Sequence, residues 1–207
     1  ARLNGFSVGV IANNPMFGAG TLDPQACHKI IRLATVCDSY NIPIIFLADV
    51  PGFMVGERVE HELMLHWGMR MMHALQNCSA PTLTVCIRKA FGLAWQAMNG
   101  SQMPALGVYS WPGAEIGFMD PEVGVNVAFG SKLARIEDSD AREAERAELV
   151  REVGESTNPY EAAGTMRIDE IIDPGDTRGV LAHDLEMLAH RSVPPPEARP
   201  LSYWPTC

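Results

Sequence analysis

Residues 80–98, APTLTVCIRKAFGLAWQAM, contain the change of pattern on which the fold turns. Ala80 to Ile87 is a short apolar run rich in β-branched residues, the composition of a strand covered on both faces. A cationic pair, Arg88 and Lys89, follows, and then Gly92 and Ala94 flank Leu93 just before a segment of helical character begins at Trp95. Small residues at a strand-to-helix turn let two elements approach closely. The same turn presents backbone N–H groups that can hold a developing negative charge. Both readings stand on these residues alone.

The alternation extends upstream. FSVGVIAN, residues 6–13, reads as one strand ended by the turn signals NNP, and a glycine-bearing loop, MFGAGTLD, follows it. Asp23 is placed as N-cap and Pro24 at the first helical position, with apolar Ala26, Ile30, Leu33, Ala34 and Cys37 at helical spacing. IPIIFLADV, residues 42–50, is a second continuous apolar strand, punctuated by PGFMVG; HELMLHWGMRMMHALQNC, residues 61–78, is a second helix. Strand alternating with helix over short links predicts an α/β protein with parallel strands joined by right-handed crossovers.

Downstream, ALGVYSWPGAEIGFM predicts two short strands broken at Trp111-Pro112-Gly113, and Asp120-Pro121 starts another helix. Residues 138–157 form a charge-laced helix with Glu143–Arg146 and Glu148–Arg151 at i,i+3, a solvated face to which no chemistry is assigned. A short helix, a short strand ending at IIDP and an amphipathic helix carrying Val180, Leu181, Leu185 and Leu188 complete the pattern. We expect one domain over residues 1–192 and an extended, proline-rich tail over 193–207.

The chain has 207 residues and a formal charge of −9, which argues against nonspecific nucleic-acid binding, and no apolar run approaches a membrane span. Cys27, Cys37, Cys78, Cys86 and Cys207 are an odd number with no C-x-x-C pair, so reduced core thiols in a cytoplasmic setting are expected. The opening ARLNG lacks a methionine, a basic n-region and an apolar h-region; we expect no signal peptide and the loss of a preceding segment.

Familiar catalytic patterns do not occur: there is no Walker A loop, no G-x-G-x-x-G, no G-x-S-x-G and no H-E-x-x-H. His61, His66 and His73 fall among methionines on one predicted helix and read as a helix face rather than metal ligands. What remains is small residues at three strand ends: Gly18–Gly20, Pro51–Gly56 and Gly92–Ala94. Sites in open α/β layers gather at such ends. Arg88 and Lys89 would there either neutralise a phosphate or carboxylate, or simply reach the surface.

Taken together, VGVIANNP, IPIIFLADVPGFMVG, RKAFGLAWQAM, WPGAEIGFM and IDEIIDPGDTR resemble, in one order from Gly5 to Arg178, the C-terminal half of the carboxyltransferase (beta) subunit of biotin-dependent acyl-CoA carboxylases. That family includes the propionyl-CoA, methylcrotonyl-CoA and acetyl-CoA enzymes. The resemblance implies a crotonase-like spiral of ββα units with surrounding helices. It implies transfer of a carboxyl group from carboxybiotin to the α-carbon of an acyl-CoA through an enolate. The C-terminal half is the biotin side, the N-terminal half holds coenzyme A, and each active site forms between halves of different subunits. Its partners would be the N-terminal half, a biotin carboxylase, a biotinylated carrier and further copies of the chain; its cofactor is biotin, and no metal is held by this half.

By resemblance, the N–H groups of Leu93 and Ala94 form an oxyanion hole for the biotin ureido oxygen, and Pro51, Gly52, Phe53, Gly92, Trp95 and Gln96 line the biotin pocket. Phe53 is favoured there because an aromatic after a tight turn has little else to pack on. Trp95 and Trp111 also read as core-filling residues. Many family members have Gly-Gly-Ala-Tyr-Asp where this chain has Gly92 to Gln96; Leu93 makes the wall bulkier, and Gln96, at a position tied to acyl selectivity, exchanges a carboxylate for an amide. Asp120 replaces a common glycine. A decarboxylase running the transfer in reverse and a non-catalytic assembly or ligand-binding relative are the alternatives. The Met-rich second helix suggests a broad subunit interface.

Overall fold

The computed structural model of the chain describes residues 1–101, 103–189 and 201. The expected tail lies outside the described residues except for Leu201, which is buried in the main core.

The first predicted strand divides in two. β1 (Arg2–Leu3) and β2 (Phe6–Ser7) form an antiparallel hairpin across Asn4-Gly5, both in the left-handed region, and β3 (Gly9–Ala12) then departs to pair elsewhere. α1 (Pro24–Ser39) starts where its cap predicts: the Asp23 carboxylate accepts the Ala26 N–H at 2.7 Å. β4 (Ile44–Val50) is buried along nearly its whole length. The next predicted helix is broken: α2 (Glu57–His61) stops at Leu63, whose φ of +62° interrupts the spiral before α3 (Met64–Gln76). His61 therefore does not share a helix with His66 and His73.

β5 (Thr82–Phe91) is longer than the apolar run implies and continues through Arg88 and Lys89 directly into α4 (Gly92–Ala97). β6 (Gly107–Ser110) and β7 (Glu115–Gly117) flank the Trp111-Pro112-Gly113 break. α5 (Pro121–Leu133), α6 (Ser139–Glu155), α7 (Pro159–Gly164), β8 (Glu170–Ile171) and α8 (Thr177–Ala189) follow. On α6, Arg146 pairs with Glu143 at 3.6 Å and Arg151 with Glu148 at 2.6 Å.

Six strands form one parallel sheet in the order β3-β4-β5-β6-β8, with β7 beside the far end of β5. β5 is the axis: its first half pairs with β6 through Leu83–Cys86 and its second half with β7 through Lys89–Phe91, so the strand leaves one neighbour for another midway. One face of the sheet packs under α1 and α3 around Ile31, Phe46, Met71 and Leu75; the other packs under α8 around Val85, Tyr109, Leu181 and Leu185. Each such buried side chain contributes about 1.5–3 kcal/mol. Val180 and Leu188 lie against the second cluster, completing the predicted apolar face of α8. α5 and α6 form a separate helical pair around Val125, Leu133 and Leu149.

Cys27, Cys37 and Cys86 are buried, Cys78 is half-buried, and all four are free thiols. Burial pushes the Cys27, Cys78 and Cys86 thiols up to about 12, with Asp23, Asp38 and Asp49 adding to it at the respective sites. Among the described residues no helix is long and apolar enough to cross a membrane.

Candidate functional site

The three glycine-bearing strand ends meet at the C-terminal edges of β3, β4 and β5, and a lone carboxylate ties them together. Asp49, the only charged side chain in β4, accepts the Arg88 Nε–H with both oxygens, at 3.1 and 3.2 Å, and the Lys89 backbone N–H at 3.3 Å. Its own N–H donates to Asn13 Oδ1 at 3.2 Å, and Asn13 Nδ2 donates to the Gly20 carbonyl at 3.0 Å. Gly20 has φ +81°, and a Cβ there would lie 2.6 Å from the Asp49 carbonyl, so the first loop closes on the second strand only with glycine.

Of the two cations after the apolar run, Arg88 is held by Asp49, while Lys89 Nζ lies 2.6 Å from Asp120 Oδ2. Asp120 Oδ1 also accepts the Glu122 N–H at 3.1 Å, capping α5. The carboxylate that replaces the family's common glycine is thus half of an ion pair and a helix cap. Both cations neutralise carboxylates of this same chain, one of the two expectations for them.

The Pro51–Phe53 turn is pinned to the first loop: Leu22 N–H donates to the Gly52 carbonyl at 3.1 Å, and Met54 N–H to the Leu22 carbonyl at 2.9 Å. The Phe53 ring packs on Gly68 of α3, where a Cβ would stand 3.2 Å from it. The expectation that Phe53 lacks other packing is corrected: α3 presents a glycine to receive it. A Cβ on Gly52 would meet nothing within 4 Å, so space is open beside this turn.

Gly92 has φ +55°, and a Cβ there would lie 2.8 Å from the Phe118 carbonyl. Only glycine fits both constraints, which answers for the small residue at the opening turn. Beyond it, the first N–H groups of α4, those of Leu93 and Ala94 among them, have no acceptor within the helix, and no side chain caps this end. Leu93 is exposed and Gln96 half-buried, whereas the Trp95 side chain is buried, with its Nε1–H donating to Ser101 Oγ at 3.2 Å. Trp95 is part of the main core, in line with the core-filling alternative of its two readings. Trp111 likewise packs inward, its Nε1–H donating to Thr177 Oγ1 at 2.9 Å.

A groove of about 1160 Å³ runs between β3 and α1, over Val10, Ile11, Leu22 and Leu33, to Met54 beside the Phe53 turn and Met98 at the end of α4. Among the described residues no group of three or more His, Cys, Asp or Glu side chains is disposed to hold a metal ion.

Residues 1–200 match the carboxyl transferase domain. The chain belongs to the carboxyl transferase family. The carboxyl transferase chain is 41% identical over 198 residues to the propionyl-CoA carboxylase carboxyltransferase subunit of Haloferax mediterranei, covering 96% of this chain and 38% of that one. It is 41% identical over 190 residues to the methylmalonyl-CoA carboxyltransferase 12S subunit of Propionibacterium freudenreichii, covering 91% of this chain and 36% of that subunit.

Among solved structures it superposes with a TM-score of 0.83 on the hexameric transcarboxylase 12S core with methylmalonyl-coenzyme A and methylmalonic acid bound, at 38% identity, covering 96% of this chain and 38% of that one. The β subunit of geranyl-CoA carboxylase from P. aeruginosa gives a TM-score of 0.81 at 26% identity, over 97% of this chain and 37% of that one. The fold is therefore crotonase-like, as the resemblance implies. The chain spans well under half the length of these relatives.

Asp49 and Phe118 escaped the sequence reading of the site. A single carboxylate inside the apolar run of β4 was the available signal for Asp49. Phe118 acts through its backbone and leaves no signal in its side chain.

Proposed function

We propose that this chain is the biotin-facing part of an acyl-CoA carboxyltransferase, acting in the cytoplasm with a coenzyme A-binding half, a biotin carboxylase and a biotinylated carrier. The observation that carries the reading is the uncapped first turn of α4, set against the Phe118 backbone by Gly92. Two adjacent N–H donors, on Leu93 and Ala94, match the acceptor chemistry of a ureido carbonyl oxygen, and the open space beside Gly52 leaves room for a planar ring. Bound carboxybiotin supplies the carboxyl group and, as its nitrogen regains electron density, a base for the acyl-CoA α-proton.

The chain's own contribution is electrostatic and positional. The Leu93 and Ala94 N–H groups donate to an oxygen as negative charge grows on it; preorganised donors of this kind contribute about 3–4 kcal/mol each. Asp49 neutralises Arg88 and fixes the Pro51–Phe53 turn relative to the end of β5. Gln96, on α4, selects the acyl group as a neutral hydrogen-bonding side chain. α3 exposes Leu65 and Met69, with Leu63 just before it, and we assign this apolar stripe to contacts between subunits.

The reverse direction is a second reading, supported by 38% identity over 191 residues to the methylmalonyl-CoA decarboxylase alpha subunit of Veillonella parvula. Both directions are tested by supplying the full-length polypeptide with carboxylated carrier and a panel of acyl-CoA thioesters, then with free carrier and the carboxylated thioesters. Carboxylated product in the first arm, or carboxylated carrier in the second, supports carboxyl transfer; turnover in neither arm by a folded assembly contradicts it.

A further inference from the structure

α4 has six residues, too few to hold its own conformation, so its direction is imposed from outside: by the core packing of Ala94, Trp95 and Ala97 and by anchors at its two ends. At the start, Gly92 abuts the Phe118 carbonyl. At the far end, Asn99 takes the left-handed conformation, with φ +59°, and its side chain turns back into the protein, only 1% exposed. Its Nδ2 donates to Thr82 Oγ1 at 3.0 Å and to Thr84 Oγ1 at 3.2 Å, while Thr84 Oγ1 donates to the Asn99 carbonyl at 2.7 Å. Thr82 Oγ1 in turn donates to the Pro104 carbonyl at 3.3 Å. Around this amide the helix end closes, with Asn99 N–H on the Gln96 carbonyl at 2.9 Å and Gly100 N–H on the Trp95 carbonyl at 3.0 Å.

Thr82 and Thr84 are buried on β5, the same strand that runs on into Gly92. The amide therefore closes a ring: along β5 from Thr84 to Phe91, through α4, and back from Asn99 to Thr84. The helix rise puts the Leu93–Ala94 turn about 8–9 Å from Asn99, so a tilt of about 10° pivoting at Asn99 would move those N–H groups by about 1.5 Å. Oxyanion donors tolerate much less.

We propose that Asn99 is a positioning residue for carboxyl transfer: its buried amide, clamped on Thr82 and Thr84, fixes the direction in which α4 aims the Leu93 and Ala94 N–H groups. The inference rests on the function assigned to those two groups above. Asn99 touches no reacting atom and acts through the helix that precedes it.

The experiment uses the full-length polypeptide with Thr84→Val, which keeps shape and removes the hydroxyl; Thr84→Ser, which keeps the hydroxyl; and Asn99→Gly, which keeps the left-handed backbone and removes the amide. Expected are a fall in kcat of about 10- to 100-fold for Thr84→Val and Asn99→Gly, KM for the acyl-CoA within about twofold, and recovery to within about threefold in Thr84→Ser. Hydrogen exchange over residues 95–100 is followed in parallel, and protection there falls in Thr84→Val and Asn99→Gly but not in Thr84→Ser.

Unchanged kcat in both variants, or equal losses in Thr84→Val and Thr84→Ser, overturns the proposal. So does unchanged exchange protection, whatever the activity. If the unsubstituted protein turns over no thioester in either direction, the functional reading fails instead, and the exchange data alone still judge whether the amide pins α4.

Discussion

Arg88 Nε sits 3.1 and 3.2 Å from the two carboxylate oxygens of Asp49, joining the end of β5 to the residue that precedes the Val50-Pro51-Gly52 turn. The partners are unequal: the Arg88 side chain is 52% exposed and that of Asp49 10%. Losing the cation strands a largely buried carboxylate, whereas losing the carboxylate leaves a guanidinium that water can solvate. Arg88→Met is therefore expected to destabilise by about 2–3 kcal/mol, and Asp49→Asn by about 1 kcal/mol. Urea unfolding of the two variants checks the order, and a larger loss in Asp49→Asn would contradict it.

Gly92 and Gly52 should respond oppositely to a methyl group. At Gly92 an alanine meets both a positive φ of +55° and the Phe118 carbonyl at 2.8 Å. Gly92→Ala is expected to cost about 2–4 kcal/mol and to abolish transfer. At Gly52 the added Cβ meets nothing within 4 Å, so Gly52→Ala should change stability by less than about 0.5 kcal/mol. Any effect of Gly52→Ala on turnover would then report a ligand lying in the space beside the turn. Thermal unfolding and kcat on the pair separate these outcomes.

The thiols give a pH signature. Folding raises the Cys27, Cys78 and Cys86 thiols to about 12, chiefly through burial, and also raises the Tyr109 phenol, through burial and its hydrogen bond to Asp184. Groups whose protonated form the fold favours contribute stability fully below their unfolded pKa, near 8.5 for a thiol. That contribution is lost as pH climbs toward 12. We expect the unfolding temperature to fall steadily above pH 9. At pH 8 the Cys27 and Cys86 peptides should resist alkylation in the native protein and label fully in denaturant. Rapid native labelling of Cys86, read by mass spectrometry, would show that β5 opens.

Local chemistry was legible in the sequence where a residue acts on its own neighbours. Asp23 and Pro24 start α1, Trp111-Pro112-Gly113 separates β6 from β7, and Leu181 and Leu185 mark the inner face of α8. What escaped depends on partners distant in the chain. Arg88 and Lys89 looked like the end of a strand because a sheet interior excludes charge, yet β5 carries both since Asp49 and Asp120 neutralise them. Phe6-Ser7 turns back on β1, a pairing that its β-branched neighbours disguise. The break at Leu63 lies in a segment whose side chains are all compatible with helix, and nothing local marks the left-handed residue. For the site, Gly92 and the uncapped turn after it were readable from small residues at a strand end; for Trp95 the sequence offered both core and pocket, because which one a tryptophan faces depends on Gly100 beneath it.

The central claim is that the backbone N–H of Ala94 stabilises charge during carboxyl transfer. Its most direct test is kcat for transfer by the full-length polypeptide carrying Ala94→Pro, which deletes that donor in the first turn of α4, against Ala94→Gly, which keeps it. Thermal unfolding confirms that both variants fold. The account predicts a fall in kcat of about 10²–10³ for Ala94→Pro and less than about tenfold for Ala94→Gly. Equal activity in the two folded variants would contradict it.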